Sequence, residues 1–167
     1  VVKEQGVGDE ILYGSMYPDL LKKYPNSKIE TDPRLISLFE RSFKAPGKCA
    51  PYSKYSKSKK ELKQFDTIIY AGSLGRLFRN NLSDFPKKNY LCVDKKKYIN
   101  LSNKINKITQ KIKIGISWKS KNETYGADKS LDLNLLTPIL KLDKFSFINL
   151  QYGDTLTELR TYNTRSN

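Results

Sequence analysis

The chain holds 167 residues and carries a formal net charge of +14, with 31 Lys and Arg against 17 Asp and Glu. Its hydrophobic content of 38%, with seven Phe and eleven Tyr, is enough to bury a core and excludes a wholly disordered polyelectrolyte. Histidine is absent, so acid–base chemistry near neutral pH falls to a carboxylate, a Lys, a Tyr or a Cys.

The length suits one ordinary domain, or one and a fraction. No apolar run approaches the ~20 residues of a membrane span, and the start shows no signal-peptide pattern. The chain begins Val1-Val2 and both ends read as mid-protein sequence, so a fragment is expected. Cys49 and Cys92 stand far apart without neighbouring ligands; neither a metal site nor a disulfide framework is expected, and a reduced cytoplasmic setting is. Most of the positive charge is Lys in a chain also rich in Asn and Ile. It reads as solvated lysine faces, and nucleic acid is not an expected partner.

In chain order, residues 1–5 read as the end of a strand, followed by a glycine turn, Gly6-Val7-Gly8-Asp9. A helix is expected over residues 10–24, its face marked by Leu12, Met16 and Leu20 and kinked at Pro18. Lys28 to Thr31 is a short strand. Asp32-Pro33 starts a second helix, with Leu35, Phe39 and Phe43 on its buried side. Residues 44–64, rich in Lys, Ser, Pro and Tyr, read as a mobile loop leading into a short helix near its end. Tyr52 and Tyr55 among these lysines could stack on bases; a solvated loop is the plainer reading. Phe65 to Ala71 reads as a strand, followed by a short helical segment with Arg76 and Arg79. Tyr90 to Val93 is a strand or an extended link, and a helix follows from Asp94 to about Ile108.

Lys111 to Trp118 alternates Ile112, Ile114, Ile116 and Trp118 with Lys111, Lys113, Gly115 and Ser117, the pattern of a strand. A polar loop, a helix carrying Leu135, Leu136, Ile139 and Leu140, a strand from Phe145 to Leu150 and a helix start at Thr155 complete the order. This is β-α-β-α twice over: an α/β protein with parallel sheets and helices on their faces.

Ligands of open α/β sheets gather at the carboxyl ends of the strands. The loops expected there are residues 6–9, 71–79, 117–130 and 151–154. Gly6 and Gly8 leave backbone N–H groups facing an anion or a sugar hydroxyl. Asp9, in the first helical turn, is either a helix cap or a catalytic base. Lys119, Lys121 and Lys129, with Ser130 at an expected helix start, either bind a phosphate or belong to a lysine-rich surface loop.

Several blocks then appear in a fixed order. They are Glu4-Gln5-Gly6-Val7-Gly8-Asp9-Glu10-Ile11, Pro18-Asp19-Leu20-Leu21, Asp32-Pro33-Arg34-Leu35 and Gly72-Ser73-Leu74 with Arg76-Leu77-Phe78-Arg79. Asp84-Phe85-Pro86, Gly115-Ile116-Ser117-Trp118, Lys129-Ser130-Leu131 and Leu150-Gln151-Tyr152-Gly153-Asp154 follow. Together they cover almost the whole chain, which resembles the glycosyltransferase region that follows tetratricopeptide repeats in many bacterial proteins. That family is similar to heptosyltransferases and, more distantly, to O-linked N-acetylglucosamine transferases.

The resemblance implies a GT-B fold of two Rossmann-like domains, with the acceptor on the first, the nucleotide-sugar donor on the second, and no metal or other cofactor. It implies that Asp9 is the base for the acceptor hydroxyl and that Lys129 holds the donor diphosphate, with Ser117 and Lys119 lining the same pocket; Ser130, from the loop reading above, is placed with them. Gly6, Gly8, Ser73 and Arg76 fall on acceptor-side loops.

The chain departs from the family in three ways. It lacks the histidine of the O-linked N-acetylglucosamine enzymes, and polar sequence over residues 44–64 stands where a strand and helix belong. After Lys111 only about 55 residues remain, where a complete Rossmann-like domain needs on the order of 150. The expectation is therefore a Rossmann-like acceptor-side domain over residues 1–108 and the first βαβ unit of an incomplete donor domain over 109–167. Such a piece of a glycosyltransferase is expected to be inactive by itself. Two strands cannot bury both their own faces, so they are expected to pack on the first domain, to pair with another copy as a homodimer, or to stay poorly ordered. A non-enzymatic basic module binding nucleic acid or protein is the competing reading.

Overall fold

The computed structural model describes residues 1–4, 6–52, 59–120 and 126–166. They form two compact units, Val1–Asn100 and Leu101–Asn167. The protein is mixed α/β, with two small parallel two-stranded sheets and flanking helices. None of the described helices is long and apolar enough to cross a membrane.

In the first unit, β1 (Ile29–Thr31) pairs in parallel with β2 (Cys49–Pro51). On the other side of β1, Glu30 N donates to Val1 O at 2.9 Å. Val2 then bridges in parallel to Tyr70, its N–H donating to Ile69 O at 2.9 Å while its carbonyl accepts from Ala71 N at 3.0 Å. Four chain segments thus lie side by side in the order third, second, first, fourth, which is the doubly wound arrangement.

Two expectations are corrected here. Residues 44–64 contain a strand, β2, whose backbone completes the edge of β1 through Ile29 N to Lys48 O and Tyr52 N to Thr31 O, both 2.9 Å. Conversely, the strand expected over Phe65–Ala71 shrinks to the single Tyr70 bridge, because among the described residues only Val2 lies alongside to hydrogen-bond it. The run at residues 53–58, Tyr55 included, lies outside the described residues.

The expected first helix is two helices, α1 (Val7–Gly14) and α2 (Tyr17–Lys23). Pro18 sits in the opening turn of α2, where its missing N–H costs nothing, and its ring prevents α1 from running through. The break shifts the helical phase: Leu12 is exposed, and the buried residues of α1 are Glu10 and Gly14. Helix α3 (Pro33–Phe43) begins as expected, with Asp32 accepting from Arg34 N at 2.9 Å. Phe39 and Tyr17, both fully buried, meet edge to face at 5.6 Å in the core with Leu20, Ile29, Leu35 and Leu74.

After α4 (Lys59–Leu62), a 3-10 turn at Ala71–Leu74 leads into α5 (Gly75–Phe78). Tyr90 to Val93 forms no strand; its residues follow α1 and α3, with the Tyr90 hydroxyl donating to Ile11 O and Cys92 N to Ser42 Oγ. Helix α6 (Lys95–Ile108) spans the division between the two units.

In the second unit, β3 (Ile112–Ile116) and β4 (Phe145–Asn149) pair in parallel, with Ile112 opposite Phe145 and Ile116 opposite Asn149. The expected intervening helix is a 3-10 turn at Leu133–Leu136 followed by α7 (Thr137–Leu140). Pro138 at the start of α7 lacks the N–H needed to continue one helix through both. Leu133 and Trp118 are buried, while Leu135 and Ile139 are exposed. Helix α8 (Leu156–Ser166) follows Thr155, as expected.

Candidate functional site

Two loop clusters carry the residues singled out above, one in each unit. In the first unit, the segments at residues 1–2 and 69–71 are the pair between which the doubly wound order reverses. At their carboxyl ends Glu4 Oε2 accepts from Gly72 N at 3.1 Å, tying the start of the glycine turn to the 3-10 turn that carries Ser73. A Cβ at residue 72 would stand 2.6 Å from Glu4 Oε2, so a side chain there would displace the Glu4 carboxylate. A Cβ at Gly6 or Gly8 would meet none of the described residues within 4 Å.

Asp9 lies half-buried in the first turn of α1. The N-cap of that helix is Gly6, and Asp9 sits three residues on, in the first turn, where the helix dipole favours a negative charge. Ser73 and Arg76 are exposed, Arg76 on α5.

Beneath this edge lies a group that the sequence reading passed over. Glu10 is 1% exposed, and its carboxylate accepts from Lys3 Nζ at 2.8 Å, Thr31 Oγ1 at 2.5 Å and Asp32 N at 2.8 Å. One side chain thus joins the first segment, the end of β1 and the first turn of α1. Nearby, hydrogen bonds from Arg34 hold the Asp32 carboxyl down at about 2. Burial pushes the Cys49 thiol up to about 12, which keeps it protonated and unreactive.

In the second unit the organiser is Gln151, which follows β4 and is buried. Its Oε1 accepts from Ser117 Oγ at 3.0 Å, Trp118 N at 2.8 Å and Lys119 N at 2.7 Å, and its Nε2 donates to Lys119 O at 3.0 Å. Ser130 Oγ accepts from Ser120 N at 3.0 Å and donates to Gly126 O at 2.5 Å. Ser117, Lys119 and Ser130 are thereby gathered around one strand exit, with Lys129 next to Ser130 in the chain. Lys121 lies outside the described residues.

Ser130 does not open a helix. The following turn is capped by Asp132, whose carboxylate accepts from Asn134 N at 2.8 Å, so the first of the N–H groups expected to meet a phosphate already faces an anion. Lys119 is also engaged, its Nζ lying 2.9 Å from Glu158 Oε2 on α8. Glu158 Oε1 accepts from Trp118 Nε1 at 3.1 Å. Among the described residues, no group of three or more Cys, Asp or Glu could hold a metal ion.

The fold and these clusters define a parallel α/β protein with polar loop clusters at its strand exits. Over 172 aligned residues the chain is 28% identical to Protein FlbA of Caulobacter vibrioides, an alignment that covers 95% of this chain and 29% of that protein. The chain therefore spans less than a third of the length of the curated relative it matches. No family model matches the chain. No solved structure matches it either.

Proposed function

We propose that the chain is part of a glycosyltransferase of the GT-B type, with residues of its first unit on the acceptor side and those of its second on the donor side. In this reading Asp9 takes the proton of an acceptor hydroxyl as that oxygen bonds to the anomeric carbon of a nucleotide-sugar. The bond from that carbon to the diphosphate breaks, and the charge left on the diphosphate is offset by Lys129 and Lys119, with Ser117 and Ser130 beside them.

One observation carries the proposal: the doubly wound order of the first unit, with the Gly6–Asp9 turn and the Gly72–Ser73 turn adjacent at the strand exits. This is the position at which open α/β sheets take ligands. That a side chain at Gly6 or Gly8 would meet none of the described residues within 4 Å is consistent with close approach by an acceptor.

Calorimetric titration of the chain with UDP, GDP and ADP, repeated with Lys129→Ala, tests the donor side. The expected result is saturable binding of one nucleotide, weakened about tenfold or more in the variant by loss of a charged phosphate contact. Equal affinity in both proteins removes Lys129 from the site, and absence of binding to all three removes the donor role from this chain.

A further inference from the structure

The salt bridge between Lys119 and Glu158 bears on how a phosphate could reach the β3 exit loop. Both oxygens of the Glu158 carboxylate are used, one by the Trp118 indole N–H and one by the Lys119 ammonium. The indole is 4% exposed and fixed by packing, whereas the side chains of Lys119 and Glu158 are 43% and 25% exposed. The Trp118 contact is therefore the rigid half of this arrangement. The Lys119 contact is the replaceable half, since a half-exposed ion pair is held only weakly against water or a competing anion.

Gln151 fixes the Lys119 backbone at both its N–H and its carbonyl, so the loop need not move for the ammonium to change partner. Only the flexible side chain has to swing.

We infer that Glu158 is a resident anion occupying Lys119 in place of a ligand's phosphate, so that a diphosphate enters this loop by displacing Glu158 from Lys119 while Trp118 keeps its own bond. This rests on the donor-side reading above, and it makes Glu158 a determinant of affinity that opposes binding. Glu158→Gln isolates the effect: the amide oxygen still accepts from the indole, but the negative charge competing for Lys119 is gone.

The molecule carries its own probe, because Trp118 is the single tryptophan. The full chain and Glu158→Gln are titrated with inorganic pyrophosphate, heat reporting binding and Trp118 fluorescence reporting the carboxylate beside the indole. Circular dichroism checks that both proteins are folded. The expected result is a saturable fluorescence change in the wild type and about two- to fivefold tighter binding in Glu158→Gln. In a Lys119→Ala background that gain should shrink, because the contested ammonium is absent.

Heat of binding in the wild type with unchanged or weaker affinity in Glu158→Gln overturns the inference and leaves the donor-side reading intact. Binding by Glu158→Gln alone supports it in its strongest form. No binding by either protein overturns both.

Discussion

Glu10 offers the sharpest stability test, because one side chain closes three contacts in the interior of the first unit. Replacing it by Ala leaves the Thr31 hydroxyl and the Asp32 N–H without their acceptor, and the Lys3 ammonium, whose side chain is 15% exposed, without its counter-charge. Removing one partner of a buried pair costs about 3–5 kcal/mol. The lower end applies here: Lys3 Nζ already lies 5.2 Å from the centre of the Tyr52 ring, an alternative site for part of its charge. A loss of about 3 kcal/mol would lower the urea midpoint by about 2 M for a unit of this size. Glu10→Gln keeps one acceptor oxygen and should lose about 2 kcal/mol. The assay is urea unfolding followed by far-ultraviolet circular dichroism, since Trp118 belongs to the other unit and its fluorescence would not report this one. A loss below about 1 kcal/mol for Glu10→Ala would refute the reasoning, by showing that its three donors find equivalent partners without it.

Tyr17 is fully buried, and its hydroxyl has no hydrogen-bond partner among the described residues. Tyr17→Phe, which keeps the ring against Phe39, should therefore be neutral or raise stability by about 1 kcal/mol; a loss of that size in thermal unfolding would reveal a partner for the hydroxyl. Asp32→Ala removes the cap of α3 and should cost about 1 kcal/mol at neutral pH. The folded Asp32 carboxyl titrates at about 2, below its ordinary 3.8, so its contribution is complete above about pH 4 and lost as pH falls toward 2. Wild type and Asp32→Ala should accordingly converge in stability across that window, and a gap that stays constant down to pH 2 would assign the cap to another group.

What could be read in the sequence is what local chemistry decides. Asp32-Pro33 starts a helix through its own side chain and ring, and the alternation from Ile112 to Ile116 marks a strand that finds its partner in β4. Strand β2 carries no such signal: Cys49-Ala50-Pro51 has little intrinsic preference for extended pairing and becomes a strand because Ile29 N and Tyr52 N find acceptors across the gap. Pro51 is tolerated because β2 is an edge strand. The run from Phe65 to Ala71 makes the converse point, since β-forming residues give a ladder only where a partner backbone runs alongside. The same division holds for the candidate sites. Their loops were legible as strand exits, but Glu10, Gln151 and Glu158 take their roles from partners 21, 33 and 40 residues away, beyond the reach of any local pattern.

The glycines separate what the fold requires from what a ligand would require. At Gly72 the reason is internal, because a side chain there would push the Glu4 carboxylate off the backbone N–H it accepts from. At Gly8, in the first turn of α1, no neighbour among the described residues objects to a side chain, and the backbone there is ordinary helix. Among the described residues, neither packing nor backbone conformation gives a reason for glycine at that point. In the proposed transferase, close approach of an acceptor to the first-turn amides, with Asp9 on the same turn, would give one.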